Sequence, residues 1–452
     1  MKKMKKGNIA IAVVCLGSIA FGQGGLTPPG TPTPSMKTLQ QVEPRIDVAT
    51  LAGNSTAHYV INQAGSYYLS ENLSVTNTTG ILINAIGVTL DLNGFEILRT
   101  TGNQGGYAIF IHAKMDHTTI YNGSILGGFE YGIYANPSIS PVGYSLKDLT
   151  VSGCSSCGIF TGSASRLFNC LAHNNTGIGI QVGYGSLLSG CCAHKNQGTY
   201  GLYANRGSTL SECTAYDNQG DYGIYAGAGS TLSGCAAHNN QGIYGIYTDP
   251  GSTLSGCVAY NNQGKYGIYA GEGSCISECV AKNNIGGGSY TYGIYAENGS
   301  TISRCSSHYN RNTNSSTSSY QGTGIFAATG STVKDCSVNS NQGDGIRVTN
   351  DSIVKGNCCM RSGTNGNGAG IHATGQGNQI EANTVTYNDY GIYVDDTQNF
   401  ISRNTASENG SNWEIASGNA CLVIARTSCT TISGNSGGTA PGSTDPNANF
   451  TY

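Results

Sequence analysis

Ionisable side chains recur at equal positions of an internal repeat near the C-terminal end of this 452-residue chain, in which only 10 % of the residues are charged. The candidates for acid and base chemistry are Arg347, His372, Asp395, Asp396 and Glu414, with Asp344 alongside. Hydrolysis of a glycosidic bond needs two carboxyl groups about 5–10 Å apart. Adjacent or second-neighbour copies of a stacked repeat can supply that spacing, so these residues form a candidate catalytic cluster.

The same repeat position carries tyrosine in most of the copies that precede this cluster. The candidate binding residues are Tyr203, Tyr225, Tyr247, Tyr269 and Tyr295, and a second tyrosine column precedes the repeat glycine. A tyrosine ring offers an apolar face and a hydroxyl group, which together suit the mixed surface of a sugar. Two interpretations remain open: a flat aromatic strip that binds sugar rings, or a stack of cross-strand pairs that shields the strands.

A tripeptide Gly-(Ile/Leu)-X sets the period of the repeat. Its glycines are Gly132, Gly158, Gly179, Gly201, Gly223, Gly245, Gly267, Gly293, Gly324, Gly345, Gly370 and Gly391. Degenerate copies begin at Gly80, Ala108 and Asn412, and most intervals are 21 or 22 residues. Such a unit is too short for helical-pair repeats, but three short strands and three turns form one coil of a parallel β-helix.

The predicted fold is therefore an all-β, elongated parallel β-helix of about fifteen coils, each of about 22 residues. An N-terminal cap and first coils are predicted for residues 46–106, and the β-helix repeats for residues 107–416. A C-terminal cap and tail are predicted for residues 417–452.

Columns of asparagine and cysteine run through the aligned copies. The cysteine column holds Cys170, Cys191, Cys213, Cys235, Cys257, Cys279, Cys305 and Cys336, and asparagine follows it five residues later. We expect the asparagine amides to hydrogen-bond from coil to coil and the cysteines to be buried, unreactive thiols. Off this column, Cys421 and Cys429 could form a disulfide in the C-terminal cap, and no metal site is predicted.

The N-terminal residues read as an export signal. Lysines precede an apolar stretch, and small residues precede Gln23, so residues 1–22 are predicted to be a signal peptide. The proline-rich residues 23–45 are predicted to be a spacer. This pattern predicts a secreted, periplasmic or cell-surface protein of the bacterial type, without a membrane span.

Composition argues against a nucleic-acid partner. The formal net charge is -3, whereas a nucleic-acid-binding domain carries a basic patch.

The isoleucine and asparagine columns resemble those of the pectin-lyase-like superfamily of right-handed parallel β-helices. Residues 65–73, 87–97 and 445–452 look like the first coils and tail of secreted bacterial β-helix repeat proteins. The resemblance implies right-handed winding and a polysaccharide or cell-surface glycan as the partner. It also implies that Ca²⁺ would be the cofactor if the chain were a uronate lyase; otherwise no cofactor is expected.

Three functions follow from these observations. The preferred one is a secreted, non-catalytic β-helix that binds polysaccharide or surface glycan along the tyrosine column, because near-identical copies offer many equal weak sites. The first alternative is a polysaccharide lyase or glycoside hydrolase with its site in the C-terminal coils. The second alternative is a structural or adhesive envelope protein.

Overall fold

The computed structural model of the protein describes residues 44–99, 105–135, 143–288, 290–313, 322–363, 368–426, 432–435 and 446–451. The predicted signal peptide 1–22, most of the predicted spacer and Cys429 lie outside these described residues. Both the export signal and the Cys421–Cys429 disulfide therefore stay predictions.

Each repeat tripeptide lies in a short strand whose side chains alternate between the interior and the outside. In the strand Tyr244–Thr248, Gly245, Ile246 and Thr248 are buried, while Tyr247 is half-buried on the outer surface. Alternation of this kind places one set of side chains in a core and the other on the surface. Within the described part of the chain, sixteen such strands pair in parallel to form the first sheet.

The strands of the first sheet are Ala57–Ile61, Thr79–Ile83, Tyr107–Ile111, Tyr131–Ala135, Cys157–Phe160, Ile178–Val182, Tyr200–Ala204, Tyr222–Ala226, Tyr244–Thr248, Tyr266–Ala270, Tyr292–Ala296, Thr323–Ala327, Ile346–Val348, Ala369–Ala373, Tyr390–Val394 and Ser411–Ile415.

Two further parallel ladders complete each coil, and the long strands Thr119–Leu126 and Ser145–Ser152 belong to both. The second ladder also contains Ile46–Asp47, Gly65–Tyr68, Val88–Asp91, Arg166–Phe168, Leu187–Ser189, Thr209–Ser211, Thr231–Ser233, Thr253–Ser255, Cys275–Ser277, Thr301–Ser303, Thr332–Lys334, Ile353–Lys355, Gln379–Glu381, Phe400–Ser402 and Ala420–Cys421. The third ladder also contains Leu73–Ser74, Glu96–Leu98, Leu171–His173, Cys192–His194, Thr214–Tyr216, Ala236–His238, Val258–Tyr260, Val280–Lys282, Ser306–His308, Ser337–Asn339, Cys358–Met360, Thr384–Thr386, Thr405–Ser407 and Asn449–Thr451.

The remaining elements are few. They are the 3₁₀ helix Val48–Thr50, the antiparallel pair Val423–Arg426 and Ile432–Asn435, and the parallel pair Ile285–Gly286 and Arg311–Asn312.

The predicted all-β parallel solenoid is confirmed, with about sixteen coils rather than fifteen among the residues that the structure describes. Equivalent residues of successive repeats pair in register, as Ile246 does with Ile268 and Ala259 with Ala281. The additional coil begins at Ala57–Ile61, which pairs with Thr79–Ile83 but lacks the repeat tripeptide. In the strand Ser411–Ile415, Trp413 takes the place of the repeat isoleucine opposite Ile392, as the degenerate last copy predicted.

The repeat glycine is required by space. A Cβ atom on Gly245 would lie 2.6 Å from the carbonyl oxygen of Gly267 and 2.7 Å from Nδ2 of Asn262. Contacts below 3 Å with a backbone oxygen cannot be relieved by a rotamer change, and Gly201, Gly223 and Gly267 face the same crowding. In these central copies the tripeptide therefore begins with glycine, because the next coil and the asparagine column approach it too closely for a side chain.

The asparagine column forms the predicted hydrogen-bonded ladder. Nδ2 of Asn240 donates to Oδ1 of Asn262 at 3.0 Å and also to the carbonyl oxygen of Ala215 at 3.0 Å. The ladder members are Asn175, Asn196, Asn218, Asn240, Asn262, Asn284, Asn310 and Asn341, and all are fully buried. A parallel ladder continues the cysteine column through Asn357, Asn383, Asn404 and Asn449. These hydrogen bonds satisfy the buried amide groups, whose removal from water would otherwise be costly.

A serine ladder, which the sequence analysis did not identify, runs along the turn after the first sheet. The backbone N–H of Ser186 donates to Oγ of Ser208 at 3.3 Å, and that of Ser252 donates to Oγ of Ser274 at 3.2 Å. Serine recurs seven residues after the repeat glycine, a regularity that could have revealed the ladder.

The cysteine column consists of buried free thiols. Every column cysteine is at most 2 % exposed, so a dissolved reagent cannot reach its sulfur in the folded protein. Because a thiol must be accessible in order to react, we expect the column cysteines to resist a thiol reagent until denaturant is added. The exposed Cys275 and Cys358 are internal controls that should react in the native protein. Mass spectrometry of the labelled peptides measures both groups, and rapid labelling of Cys235 or Cys257 in the native state would contradict the expectation.

Candidate functional site on the first sheet

The tyrosine ladder comprises Tyr203, Tyr225, Tyr247, Tyr269 and Tyr295, whose rings stack face to face. Centroids of successive rings are 4.8–5.1 Å apart, with interplanar angles of 5–9°. This spacing follows from strands that pair in register about 4.8 Å apart. Because each ring covers the face of the next, the ladder presents ring edges and hydroxyl groups to solvent. The tyrosine column therefore does not expose flat ring faces, as an aromatic strip would, but exposes the edges of stacked rings.

The second tyrosine column packs edge-on against this ladder. Tyr222 and Tyr225, for example, have ring centroids 5.4 Å apart at an angle of 88°. The members of the second column are Tyr200, Tyr222, Tyr244, Tyr266 and Tyr292. Edge-to-face contacts are favourable because the positive ring edge meets the negative face, so the second column holds the ladder rings in one orientation.

Carboxylates bind three of the ladder hydroxyls. The Tyr225 hydroxyl donates to Oδ2 of Asp249 at 2.6 Å, and the Tyr247 hydroxyl donates to Oδ1 of the same residue at 3.1 Å. The Tyr269 hydroxyl donates to Glu297. Burial and the Asp249 carboxylate raise the pKa of Tyr225 and Tyr247, so both phenols are neutral at physiological pH. These acids were not among the predicted site residues, although each lies two residues after the tyrosine of its own copy.

The outward column changes character after Phe326. Arg347 pairs with Phe326 and His372, and the column continues through Tyr393 to Glu414. We call these last four residues the polar end of the column. The His372 and Tyr393 rings extend the stacking, with centroids 4.6 Å apart and nearly parallel planes.

His372 bridges two carboxylates. Its Nδ1 lies 2.9 Å from Oδ2 of Asp344, and its Nε2 lies 3.0 Å from Oδ2 of Asp395. The side chains of His372 and Asp344 are 4 % and 1 % exposed, whereas that of Asp395 is 36 % exposed. Asp344 is held further by the backbone N–H of Ala369 at 2.9 Å. We call Asp344, His372 and Asp395 the histidine triad.

Electrostatics fix the charge of the triad at neutral pH. Burial alone would lower the pKa of His372, but hydrogen bonds to Asp344 and Asp395 outweigh it and raise that pKa to about 9. The hydrogen bond from His372 lowers the pKa of Asp395, and Tyr393 and Arg347 lower it further. His372 is therefore an imidazolium that donates both N–H groups, and so it cannot act as a general base. Asp395 is an ionised carboxylate that is partly open to solvent.

The sequence pattern of the family described as "Right handed beta helix region" matches residues 131–284 and 244–437, which is more than half of the chain. This chain belongs to the right-handed β-helix family. The predicted right-handed winding and the resemblance to the pectin-lyase-like fold are thereby confirmed. Curated protein sequences give no match to this β-helix.

Solved structures with a similar fold include enzymes and phage proteins. The A-module of mannuronan C-5 epimerase AlgE4 from Azotobacter vinelandii covers 83 % of this chain and 99 % of its own, at 12 % identity and a TM-score of 0.34. Tailspike protein 3 of bacteriophage CBA120 covers 81 % of this chain and 62 % of its own, at 9 % identity and a TM-score of 0.38. The catalytic domain of a GH87 α-1,3-glucanase covers 72 % of this chain and 64 % of its own, at 12 % identity and a TM-score of 0.32.

The polar end of the β-helix does not unite all of the candidate catalytic residues. Arg347 lies close enough to His372 and Asp395 to influence the pKa values of both. Asp396 instead accepts hydrogen bonds from Gln376 Nε2 at 3.2 Å and from the backbone N–H of Thr397 at 2.7 Å. The side chain of Glu414 is exposed and makes no hydrogen bond or ion pair with any residue in the described part of the chain.

A second outward stack lies on the third ladder of the β-helix. The rings of His173, His194, Tyr216, His238 and Tyr260 follow one another at centroid distances of 4.5–5.0 Å. Burial lowers the pKa of the three histidines. Within the described ranges, no group of three or more His, Cys, Asp or Glu side chains is placed to hold a metal ion.

Among the residues that the structure describes, no helix has the length and apolar character needed to cross a bilayer.

Proposed function

We propose that this β-helix binds an extended polysaccharide along the outward face of the first sheet. The observation that carries the proposal is the repeat of the tyrosine ladder, whose rings recur every 4.8–5.1 Å along the coils. That distance is close to the length of one sugar unit in an extended polymer. A polymer aligned with the coil axis would therefore meet equivalent groups at each successive sugar.

Contact in this proposal is made by hydroxyl groups and ring edges, because the ring faces are covered by neighbouring rings. Asp249 and Glu297 accept hydrogen bonds from the ladder and retain lone pairs that can accept from sugar hydroxyls. A hydrogen bond between a tyrosine hydroxyl and a sugar hydroxyl contributes about 1 kcal/mol net, and one from a sugar hydroxyl to a carboxylate contributes about 1.5–3 kcal/mol. Affinity then comes from several equal contacts along one polymer. Export, as predicted from residues 1–22, would bring this face to envelope or extracellular polysaccharides.

Removal of single ladder hydroxyls tests this proposal. We expect Tyr225→Phe, Tyr247→Phe and Tyr269→Phe each to weaken polysaccharide binding about fivefold, the equivalent of roughly 1 kcal/mol per lost hydrogen bond. The rings and their stacking stay in place, so the fold is preserved. Calorimetry on a panel of neutral and acidic polysaccharides measures the change.

Tyr260→Phe is the matched control, since it removes a hydroxyl from the third ladder. Equal affinity in all four variants and the unaltered protein would mean that the first-sheet tyrosines serve only as a structural stack. A panel that shows no binding at all would leave the structural or adhesive envelope role as the better account.

The histidine triad favours a second candidate, a polysaccharide lyase or glycoside hydrolase acting at the polar end. Asp395 is an ionised, partly exposed carboxylate that His372 holds in place beside Arg347. If it acts as base or nucleophile, Asp395→Asn should lower turnover by about 10²–10⁴-fold and leave polymer affinity nearly unchanged. Asp396→Asn is the control, because that carboxylate is engaged by Gln376 and Thr397 instead. Turnover that survives Asp395→Asn would exclude this candidate.

A further inference from the structure

A groove of about 850 Å³ opens on the turns that follow the third ladder, apart from the tyrosine ladder. The side chains that matter for its chemistry are Asn261, Asn283, Ile285, Tyr309, Arg311 and Gln342. None of the lining residues that the structure describes belongs to the first sheet. A ligand in this groove would therefore not compete with one that lies along the tyrosine ladder.

Two longer copies of the repeat build one wall of the groove. The copies that begin at Gly267 and Gly293 have 26 and 31 residues, and their extra residues include the short parallel strands Ile285–Gly286 and Arg311–Asn312. Several hydrogen bonds hold this pair. The backbone N–H of Thr313 donates to Gly286 at 2.8 Å, and that of Asn312 donates to Oε1 of Gln342 at 2.6 Å. The wall is thus a fixed part of the coil.

Polar side chains project from this wall without partners. Asn261, Asn283, Tyr309 and Arg311 make no side-chain hydrogen bond or ion pair with any residue that the structure describes. Asn261, Asn283 and Tyr309 occupy the same left-handed turn position of consecutive coils, with φ of 54°, 52° and 55°. Tyr309 is 53 % exposed, unlike the half-buried rings of the tyrosine ladder. These turns therefore present two amides, an aromatic ring and a guanidinium group side by side.

The charge of the groove is one-sided. Arg311 lies in the lining, no Asp or Glu is among the described lining residues, and Lys282 directly precedes Asn283 in the chain. A guanidinium group binds carboxylate or sulfate oxygens with two parallel hydrogen bonds. Amide groups donate to and accept from hydroxyls, and an open tyrosine ring can cover an apolar sugar face.

We propose that this groove is a separate binding site for an anionic oligosaccharide. Arg311 pairs with a carboxylate or sulfate group, Tyr309 packs on the ring of the same sugar, and Asn261 and Asn283 bind hydroxyls of the neighbouring sugars. This site does not depend on the function proposed for the tyrosine ladder.

Calorimetry on the full chain tests the site with three probes of equal length: an oligogalacturonate, a sulfated oligosaccharide and a neutral oligosaccharide. We expect both anionic probes to bind more tightly than the neutral one, and Arg311→Gln to weaken them about tenfold or more. Arg311→Lys should retain intermediate affinity, and Tyr309→Ala should weaken all three probes. Arg166→Gln is the control, because it removes one exposed positive charge from a strand in a distant coil. The anionic probe that loses more affinity in Arg311→Gln identifies whether the groove prefers a carboxylate or a sulfate.

Three results would overturn the proposal: no binding of any probe, equal binding of the neutral probe, or unchanged anion affinity in both Arg311→Gln and Tyr309→Ala. Because both residues are exposed, circular dichroism and thermal unfolding should match the unaltered protein and so exclude misfolding as the cause. The Tyr225→Phe, Tyr247→Phe and Tyr269→Phe variants should bind these short probes normally. A failure of the proposed groove site can thereby be distinguished from a failure of the proposed binding along the tyrosine ladder.

Discussion

Substitution of Gly245 by alanine is expected to destabilise the solenoid by about 3 kcal/mol, although it adds a single methyl group. The new Cβ atom would lie 2.6 Å from the Gly267 carbonyl oxygen and 2.7 Å from the Asn262 amide nitrogen. Relief of that contact requires the next coil to move away. Such a shift also weakens the hydrogen bond from Asn240 to Asn262 and the register of the first sheet.

The midpoint of urea unfolding measures this loss. Gly288→Ala is the matched control, because nothing lies within 4 Å of its added Cβ atom and its φ is not in the left-handed region. We expect Gly288→Ala to unfold at the same urea concentration as the unaltered protein. A Gly245→Ala variant that is as stable as Gly288→Ala would show that coil spacing does not require the repeat glycine.

The second large effect is a loss of stability as pH rises, caused by the histidine triad. The pKa of His372 is about 9 in the folded protein, whereas an unfolded histidine titrates near pH 6.5. Protonated His372 therefore stabilises the folded state fully below about pH 6.5, and this contribution disappears as pH rises through about 9. The difference between the folded and unfolded pKa values corresponds to roughly 3 kcal/mol in the free energy of unfolding.

Urea unfolding between about pH 6 and pH 10 measures this dependence as the difference between the unaltered protein and His372→Phe. The difference should shrink as pH rises, because the variant lacks the titrating group. Removal of one partner of a buried ion pair costs about 3–5 kcal/mol, so His372→Phe could fail to fold. Asp395→Asn then serves in its place, since Asp395 is partly exposed and its loss should reduce the pH dependence. A pH-independent difference in either variant would contradict the assigned charges.

The repeat pattern made the architecture and the stacking columns predictable. In a stacked repeat, residues at equal positions must lie above one another, so the Gly-(Ile/Leu)-X spacing places Tyr225 beside Tyr247 in advance. The asparagine ladder follows from the same rule because its members sit at one fixed offset. The first coil escaped detection, since Ala57–Ile61 has inward apolar residues but not the repeat tripeptide.

The details of the candidate sites depended on side-chain directions that the pattern does not contain. Spacing shows that Tyr225 and Tyr247 are neighbours, but not that their ring faces cover each other or that Asp249 accepts both hydroxyls. His372 was identified as ionisable, yet its role as a donor to two carboxylates depends on the burial of Asp344. The groove arises from non-repeating insertions, which no column analysis reveals.

The most direct test of polysaccharide binding along the tyrosine ladder is hydroxyl-radical footprinting of the full chain with and without a bound polymer. Tyr216 and Tyr260 on the third ladder are internal controls, because their rings stack in the same manner on another face. Our account predicts that the polymer lowers oxidation of Tyr225, Tyr247 and Tyr269 and leaves both controls unchanged. Equal protection of the two sets, or protection of the third-ladder tyrosines alone, would contradict it.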